Sequence, residues 1–124
     1  MGNAEIAKRS YLAYVHSDRA ANEAVIAEDF HFTSPLDNRL NRATYFGRCW
    51  PNHEGITDFN FVRVIEDGDE VVVTYEGTNT SGGKFRNTEV LTIRDGRIVE
   101  AEVYFGWNVP HKALLGRWVD EGGP

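Results

Sequence analysis

Glu89-Val90-Leu91-Thr92-Ile93-Arg94-Asp95-Gly96-Arg97-Ile98-Val99-Glu100 reads as two strands joined by a tight turn. Asp-Gly accepts the positive φ that a two-residue hairpin loop requires. Outward from this turn the same period of two continues, which predicts strands at 57–66, 70–80, 84–94 and 97–106. Asp67-Gly68 and Ser81-Gly82-Gly83 supply the other two turns. Four consecutive hairpin-linked strands predict an antiparallel meander.

Upstream the period changes. Ala7, Tyr11, Tyr14 and Val15 recur at helical spacing, with Lys8 and Arg9 on other faces, predicting a helix over 4–16 that Asn3 can cap. Ser17-Asp18 offers a second cap, and Ala21, Ala24 and Val25 a shorter helix ending near Asp29. Phe30 to Ser34 alternates and stops at Pro35, a short strand. Asp37-Asn38 reads as a turn, and Asn41 can cap a short helix through Phe46, with Pro51 ending that region. Residues 110–119, carrying Leu114, Leu115 and Trp118, predict a short terminal helix, and Gly122-Gly123-Pro124 a frayed end. Helices followed by a long antiparallel sheet give an α+β layout, with the sheet curving around helices that each have one apolar face.

The length of 124 residues is that of one domain, 1–124, large enough to bury a core without disulfides or metals. A net charge of −6 argues against nucleic acid and anionic membrane surfaces, which attract basic patches. No apolar stretch is long enough to span a membrane, and the start at Met1-Gly2-Asn3 shows no apolar signal region and lacks the Ser or Thr of a myristoylation motif, having Ile6 there. Cys49 is the sole cysteine, so no internal disulfide forms and a reducing, cytoplasmic setting is expected. Beside Trp50 it reads as a small semi-apolar residue, with a catalytic thiol as the alternative.

Strand parity sorts the side chains. Val99, Ala101, Val103 and Phe105 share the inner face of 97–106, and Glu100, Glu102 and Tyr104 the outer one. Val71, Val73 and Tyr75 face inward from 70–80, as do Phe59, Phe61 and Ile65 from 57–66, with Arg63 among them. Leu91, Ile93, Asn87 and Glu89 share the inner parity of 84–94. Two charged residues, Arg63 and Glu89, thus fall on the core side. A carboxyl among apolar neighbours favours its neutral form and becomes suited to proton transfer. The alternatives are a structural Glu89–Arg63 pair or a bulge that turns Glu89 outward.

The element order, the short strand ending at Pro35, and the run from Glu89 to Glu100 followed by Tyr104-Phe105-Gly106 resemble the nuclear transport factor 2-like superfamily. Within it the chain is most similar to the SnoaL-like branch, which also resembles ketosteroid isomerases. The likeness spans about residues 4–110. It implies a cone-shaped, curved antiparallel sheet around N-terminal helices, a cystatin-like α+β barrel, and a homodimer formed through the sheet's outer face. It implies that Tyr11, on the first helix, stabilises a developing oxyanion, with Tyr14 one turn on, and that Glu89, seven residues before Gly96, is an acid/base group. The isomerases of this superfamily carry their general base directly before the proline that ends the first strand. That residue here is Ser34, so steroid isomerase chemistry does not carry over, and Asp37 is the acid that can substitute from the loop. Epoxide hydrolases of this fold need inward acids on two strands. Arg63 and Arg86 are present, but the last strand offers Val103.

Other chemistry lacks its pattern. His31, His53 and His111 have no metal-ligand spacing, Gly82-Gly83 precedes no helix, and no Gly-x-Ser-x-Gly elbow occurs. His31 is expected to pack under a helix or reach solvent, and His53 to lie on the surface. Two functions follow as expectations. The first is an enzyme with Glu89, Tyr11 and Asp37 as catalytic groups, acting without cofactor or metal as an isomerase, cyclase or hydratase. Its small, apolar organic ligand would meet Tyr14, Trp50, Phe59, Phe61, Arg63, Tyr75, Asn87 and Val103. The second is a non-catalytic ligand-binding or dimerisation module of the same fold.

Overall fold

The computed structural model describes residues 2–120, so the expected frayed end at 122–124 lies outside the described residues. Helix α1 runs Asn3–Val15, α2 Arg19–Val25 and α3 Arg42–Arg48, followed by a 3-10 turn at Trp50–Gly55. Strands are β1 Ile26–Ser34, β2 Asp37–Asn41, β3 Ile56–Asp67, β4 Glu70–Asn79, β5 Lys84–Arg94 and β6 Arg97–Val109. They form one curved sheet in the order β2-β1-β6-β5-β4-β3. The meander β3 to β6 is antiparallel as expected. The sheet as a whole is mixed, because β1 lies parallel to β6, and it is not closed into a barrel. The connection from β1 to β6 runs through β2, α3 and the first three strands of the meander, so that parallel pairing is a non-local choice that no local periodicity records.

The helices begin where side chains satisfy their free N–H groups. Asp18 caps α2 by accepting from the Ala21 N–H at 3.1 Å, and Asn41 caps α3 by accepting from Thr44 at 2.9 Å. Asn3 is not a cap. It is the first residue of α1, and the Glu66 carboxylate at the end of β3 accepts from the Ala4 N–H at 2.9 Å instead. The short helix α2 ends at Val25 rather than near Asp29, because Ile26 enters β1 to reach the parallel pairing with Ile98. Asp37-Asn38 is not a turn but the start of β2, the turn falling on Pro35-Leu36. No helix forms over 110–119. Gly116 there takes φ +77°, outside helical space, and Leu114, Leu115 and Trp118 are exposed, so no apolar face is buried to hold a helix. Among the described residues no helix is long and apolar enough to cross a membrane.

The core lies on the concave side of the sheet, where α1 and α3 pack. Ile6, Ala7 and Tyr11 of α1 meet Val71, Val73 and Tyr75 of β4, Leu91 and Ile93 of β5, and Phe30, Tyr45, Phe46 and Trp50. Full burial of each large apolar side chain contributes roughly 1.5–3 kcal/mol. Register shifts interrupt the ladders, and three of them bear on the site. In β3 the pairing steps from Phe61↔Tyr75 to Arg63↔Thr74, so Val62 is the extra residue. Beyond it Val64 packs on the core while Ile65 is half exposed, the reverse of the expected Ile65-inward pattern. Arg63 therefore faces outward, not into the core, and donates to the Thr74 hydroxyl at 3.0 Å. In β6 the extra residue is Val99, which gives the inner position to Ile98. Gly106 is the third, between the pairs Arg86↔Trp107 and Asn87↔Phe105.

Candidate functional site

The core is incomplete at its centre. A cavity of about 340 Å³ opens between the concave sheet face, α1 and the β1–β2 hairpin. Its wall is mostly aromatic and aliphatic, its two carboxyl groups are those of Glu89 and Asp37, and it has no lysine, arginine or histidine among the described residues. Tyr11 and Tyr14 reach it from α1 because they lie three residues apart on one helical face. Phe59 reaches it from β3, Tyr75 from β4, Asn87 and Glu89 from β5, and Val103 from β6, all by inward strand parity. Tyr11 meets Phe59, Phe61 and Tyr75 with ring centroids 5.3, 5.4 and 5.3 Å apart. These edge and tilted contacts hold the ring wall rigid.

Glu89 sits opposite Val103 on β6 and Val73 on β4, and the part of its surface left open faces the cavity. The Tyr75 hydroxyl donates to Glu89 Oε2 at 2.7 Å, and Asn87 Nδ2 donates to the Tyr75 oxygen at 3.4 Å. No cation lies within ion-pairing distance of Glu89 among the described residues, and the Glu89–Arg63 pair is absent because Arg63 is on the other face. Desolvation raises the Glu89 pKa above the usual carboxylate range, and the hydrogen bond from Tyr75 and the nearby Tyr11 hydroxyl oppose it only in part. Desolvation also keeps Tyr11, Tyr14, Tyr45 and Tyr75 protonated, and the closeness of Glu89 adds to the shift of each. The Tyr11 hydroxyl is buried without a hydrogen bond of good geometry, although it lies near enough to Glu89 for each to shift the other's ionisation. A buried hydroxyl left unpaired costs about 1–3 kcal/mol.

A second polar group stands on the β1–β2 hairpin. Ser34 donates to Asp37 Oδ2 at 2.9 Å and accepts from the Leu36 N–H at 3.0 Å, while Arg48 Nε donates to Asp37 Oδ1 at 3.1 Å. The Asp37 side chain is only 12% exposed. Cys49 is also on the cavity wall, where burial and the neighbouring Asp37 push its thiol up to about 11, so it is not a thiolate.

The structure thus brings Glu89, Tyr11, Asp37, Tyr14, Phe59, Tyr75, Asn87 and Val103 to one cavity. Three further candidates are not on its wall. Trp50 is buried behind it against Tyr14, Phe46 and His53. Phe61 packs edge-on against Tyr11 with Lys8 over its other side, and Arg63 faces out. His53 is held rather than free on the surface, with Ser17 Oγ 2.8 Å from its Nδ1 and Trp50 stacked on its ring. His31 lies on the outer side of β1 beside Arg39. Reasoning from sequence missed Phe32, Leu36, Tyr45, Phe85 and Phe105 on the cavity wall. Phe85 and Phe105 carried a usable signal, since both share the parity of Glu89 and Val103 on their own strands.

A family model, the SnoaL-like domain, matches residues 7–101. No curated protein matches the chain in sequence. A proposed ketosteroid isomerase from Kribbella flavida superposes with a TM-score of 0.73 at 17% identity, covering 98% of this chain and 90% of that one. A proposed polyketide cyclase from Sinorhizobium meliloti gives 0.68 at 22% identity, covering 80% and 93%. A protein of cystatin-like fold from Xanthomonas campestris gives 0.69 at 21% identity, covering 86% and 92%. At these identities the likeness is one of fold, and nuclear transport factor 2-like proteins share it. With the family model spanning most of its length, the chain belongs to the SnoaL-like domain family.

Proposed function

We propose that the cavity binds a small, largely apolar and uncharged organic molecule and that the protein is a cofactor-independent isomerase, cyclase or hydratase acting on it. The observation that carries this reading is Glu89, a carboxyl with no cationic partner among the described residues, which opens onto an aromatic cavity beside the buried Tyr11 hydroxyl, itself without a hydrogen bond of good geometry among them. In its neutral form Glu89 donates a hydrogen bond or a proton to a ligand oxygen, and Tyr11 stabilises the negative charge that develops there. Asp37 is placed on the same cavity to receive a proton from the ligand, with Ser34 and Arg48 holding it. The fold likeness to a proposed ketosteroid isomerase and a proposed polyketide cyclase supports this class of chemistry without choosing within it. Native mass spectrometry of the freshly purified protein identifies a retained ligand. Turnover of that ligand, or of its isomer or hydrate, is then expected to fall by about 10²-fold or more in Glu89→Gln. Undiminished turnover overturns the role of Glu89.

One observation favours a non-catalytic binding module of the same fold. Ser34, not an acid, precedes Pro35, and it spends its proton on Asp37. A ligand that binds, is released unchanged and loses no affinity in Glu89→Gln decides for that reading. The sole cysteine, a thiol with no partner for a disulfide, supports a cytoplasmic location, which fractionation of the source cells tests.

A further inference from the structure

We propose that Asn87 is a positioning residue: acting through Tyr75, it makes Oε1 the oxygen of Glu89 that exchanges a proton with the ligand. The inference rests on Glu89 being the proton-carrying group, and it follows from the direction of three hydrogen bonds. The Gly106 N–H, at the β6 bulge, points at Asn87 and donates to Oδ1 at 3.2 Å. A backbone N–H can only donate, so the Asn87 amide has one orientation, with Nδ2 turned toward Tyr75. Nδ2 can only donate as well, and it fills an acceptor site on the Tyr75 oxygen at 3.4 Å. The single Tyr75 proton is then directed to Glu89 Oε2 at 2.7 Å. An oxygen that accepts this bond is the carbonyl-type oxygen of the neutral acid, so the acid proton resides on Oε1. Without Asn87, Tyr75 can reverse and accept from Glu89, which turns the acid proton toward β4 and away from a ligand.

The ionisable groups that face Glu89 are Tyr11 and Tyr14 of α1, Tyr45 of α3 and Tyr75 of β4, while β6 presents Val103 opposite it. None of these groups is a cation, so the donor from Tyr75 is a main support of the carboxylate form. Losing its fixed direction raises the Glu89 midpoint further.

The test needs no substrate. Carboxyl-carbon NMR with Glu-specific ¹³C labelling, the Glu89 signal assigned by its loss in Glu89→Gln, gives the midpoint in the wild type, Asn87→Leu, Tyr75→Phe and the double variant. Asn87→Leu is expected to raise the midpoint by about half a pH unit or more. Tyr75→Phe is expected to raise it at least as much, and Asn87→Leu is expected to add nothing in the Tyr75→Phe background. Asn87→Ser replaces Asn87→Leu if the latter does not fold, with the same expectation. An unmoved midpoint, or a shift of equal size in both backgrounds, overturns the relay while leaving Glu89 as the proton carrier. A wild-type midpoint in the ordinary carboxylate range overturns the Glu89 reading itself.

Discussion

At the scale of single residues, Glu89 is held in a place that favours its neutral form. Its pKa is raised by desolvation, so the folded state binds a proton that the unfolded state has already released once the pH passes the ordinary value of 4.5. The stability that goes with this group is therefore full below that value and declines as the pH rises toward the folded-state midpoint. Each unit by which the two values differ is worth about 1.4 kcal/mol. Glu89→Gln keeps the shape and a donor but cannot ionise. It is expected to be as stable as wild type near pH 4 and more stable than wild type near pH 8, read from denaturant unfolding at both pH values. Wild type and variant losing stability in parallel between those values refutes the buried neutral acid. The same variant removes the proton donor, so higher stability and lower turnover are expected together. Tyr11 shows the complementary case. Its hydroxyl makes no hydrogen bond of good geometry among the described residues, so Tyr11→Phe is expected to leave stability within about 1 kcal/mol of wild type, or raise it, in thermal unfolding, while weakening ligand binding.

At the scale of elements, the bulges decide which side chains meet. Gly106 lies so close to the Arg86 carbonyl that an added Cβ would overlap backbone, which has no rotamer to yield. Gly106→Ala is expected to cost about 2–4 kcal/mol in denaturant unfolding and to disturb the Asn87 anchor. A cost below about 0.5 kcal/mol would show that β6 relaxes freely there. The bulges also mark where the sequence stops being readable. Alternation in β4 and β5 placed Tyr75, Asn87 and Glu89 on one face without error, because neither strand contains an extra residue between them. Alternation in β3 misplaced Arg63, because Val62 is inserted and every later residue changes face. Nothing local distinguishes that insertion, since Phe61-Val62-Arg63-Val64-Ile65 fits either register and the choice depends on burying Val64 against the core and freeing the guanidinium for Thr74. The parallel β1–β6 pairing was hidden for a similar reason. Ile26 to Asp29 extends the α2 pattern by composition, and only contact with Ile98, far along the chain, makes it a strand. Phe59, Tyr75, Asn87, Glu89 and Val103 were therefore legible from parity, while Phe32 and Tyr45 and the Ser34–Asp37–Arg48 group were not, because they depend on how the β1–β2 hairpin folds back over α3.

At the scale of the whole molecule, the convex face of the sheet has no element packed over it among the described residues. It is not a bare apolar surface. Arg39 pairs with Glu100, Arg63 with Thr74, Thr74 with Thr88, and Arg86 with Glu76, while the rings of Tyr104 and Trp107 remain about half exposed. The edge strand β3 carries Asp58, Arg63, Glu66 and Asp67, charges that discourage edge-to-edge pairing. Association through the face, with Tyr104 and Trp107 as buried anchors, is the arrangement these features favour, and we propose a homodimer formed this way. On the face itself Arg39, Arg63 and Arg86 offset Glu76, Glu100 and Glu102, so the repulsion between two copies comes from the net charge of −6 that each carries. The repulsion is screened as salt increases, with a Debye length of about 10 Å at 0.1 M. The dimer is therefore expected to tighten with salt, the opposite of an assembly held by ion pairs. Light scattering across a salt series is expected to move toward twice the 14.0 kDa chain mass as ionic strength rises. Tyr104→Glu, which adds a further charge at the centre of the face, is expected to hold the protein at the chain mass throughout without lowering its unfolding temperature at low salt. A wild-type mass that stays at 14.0 kDa at every salt concentration would leave the convex face to solvent, and a dimer that persists in Tyr104→Glu would place the contact elsewhere.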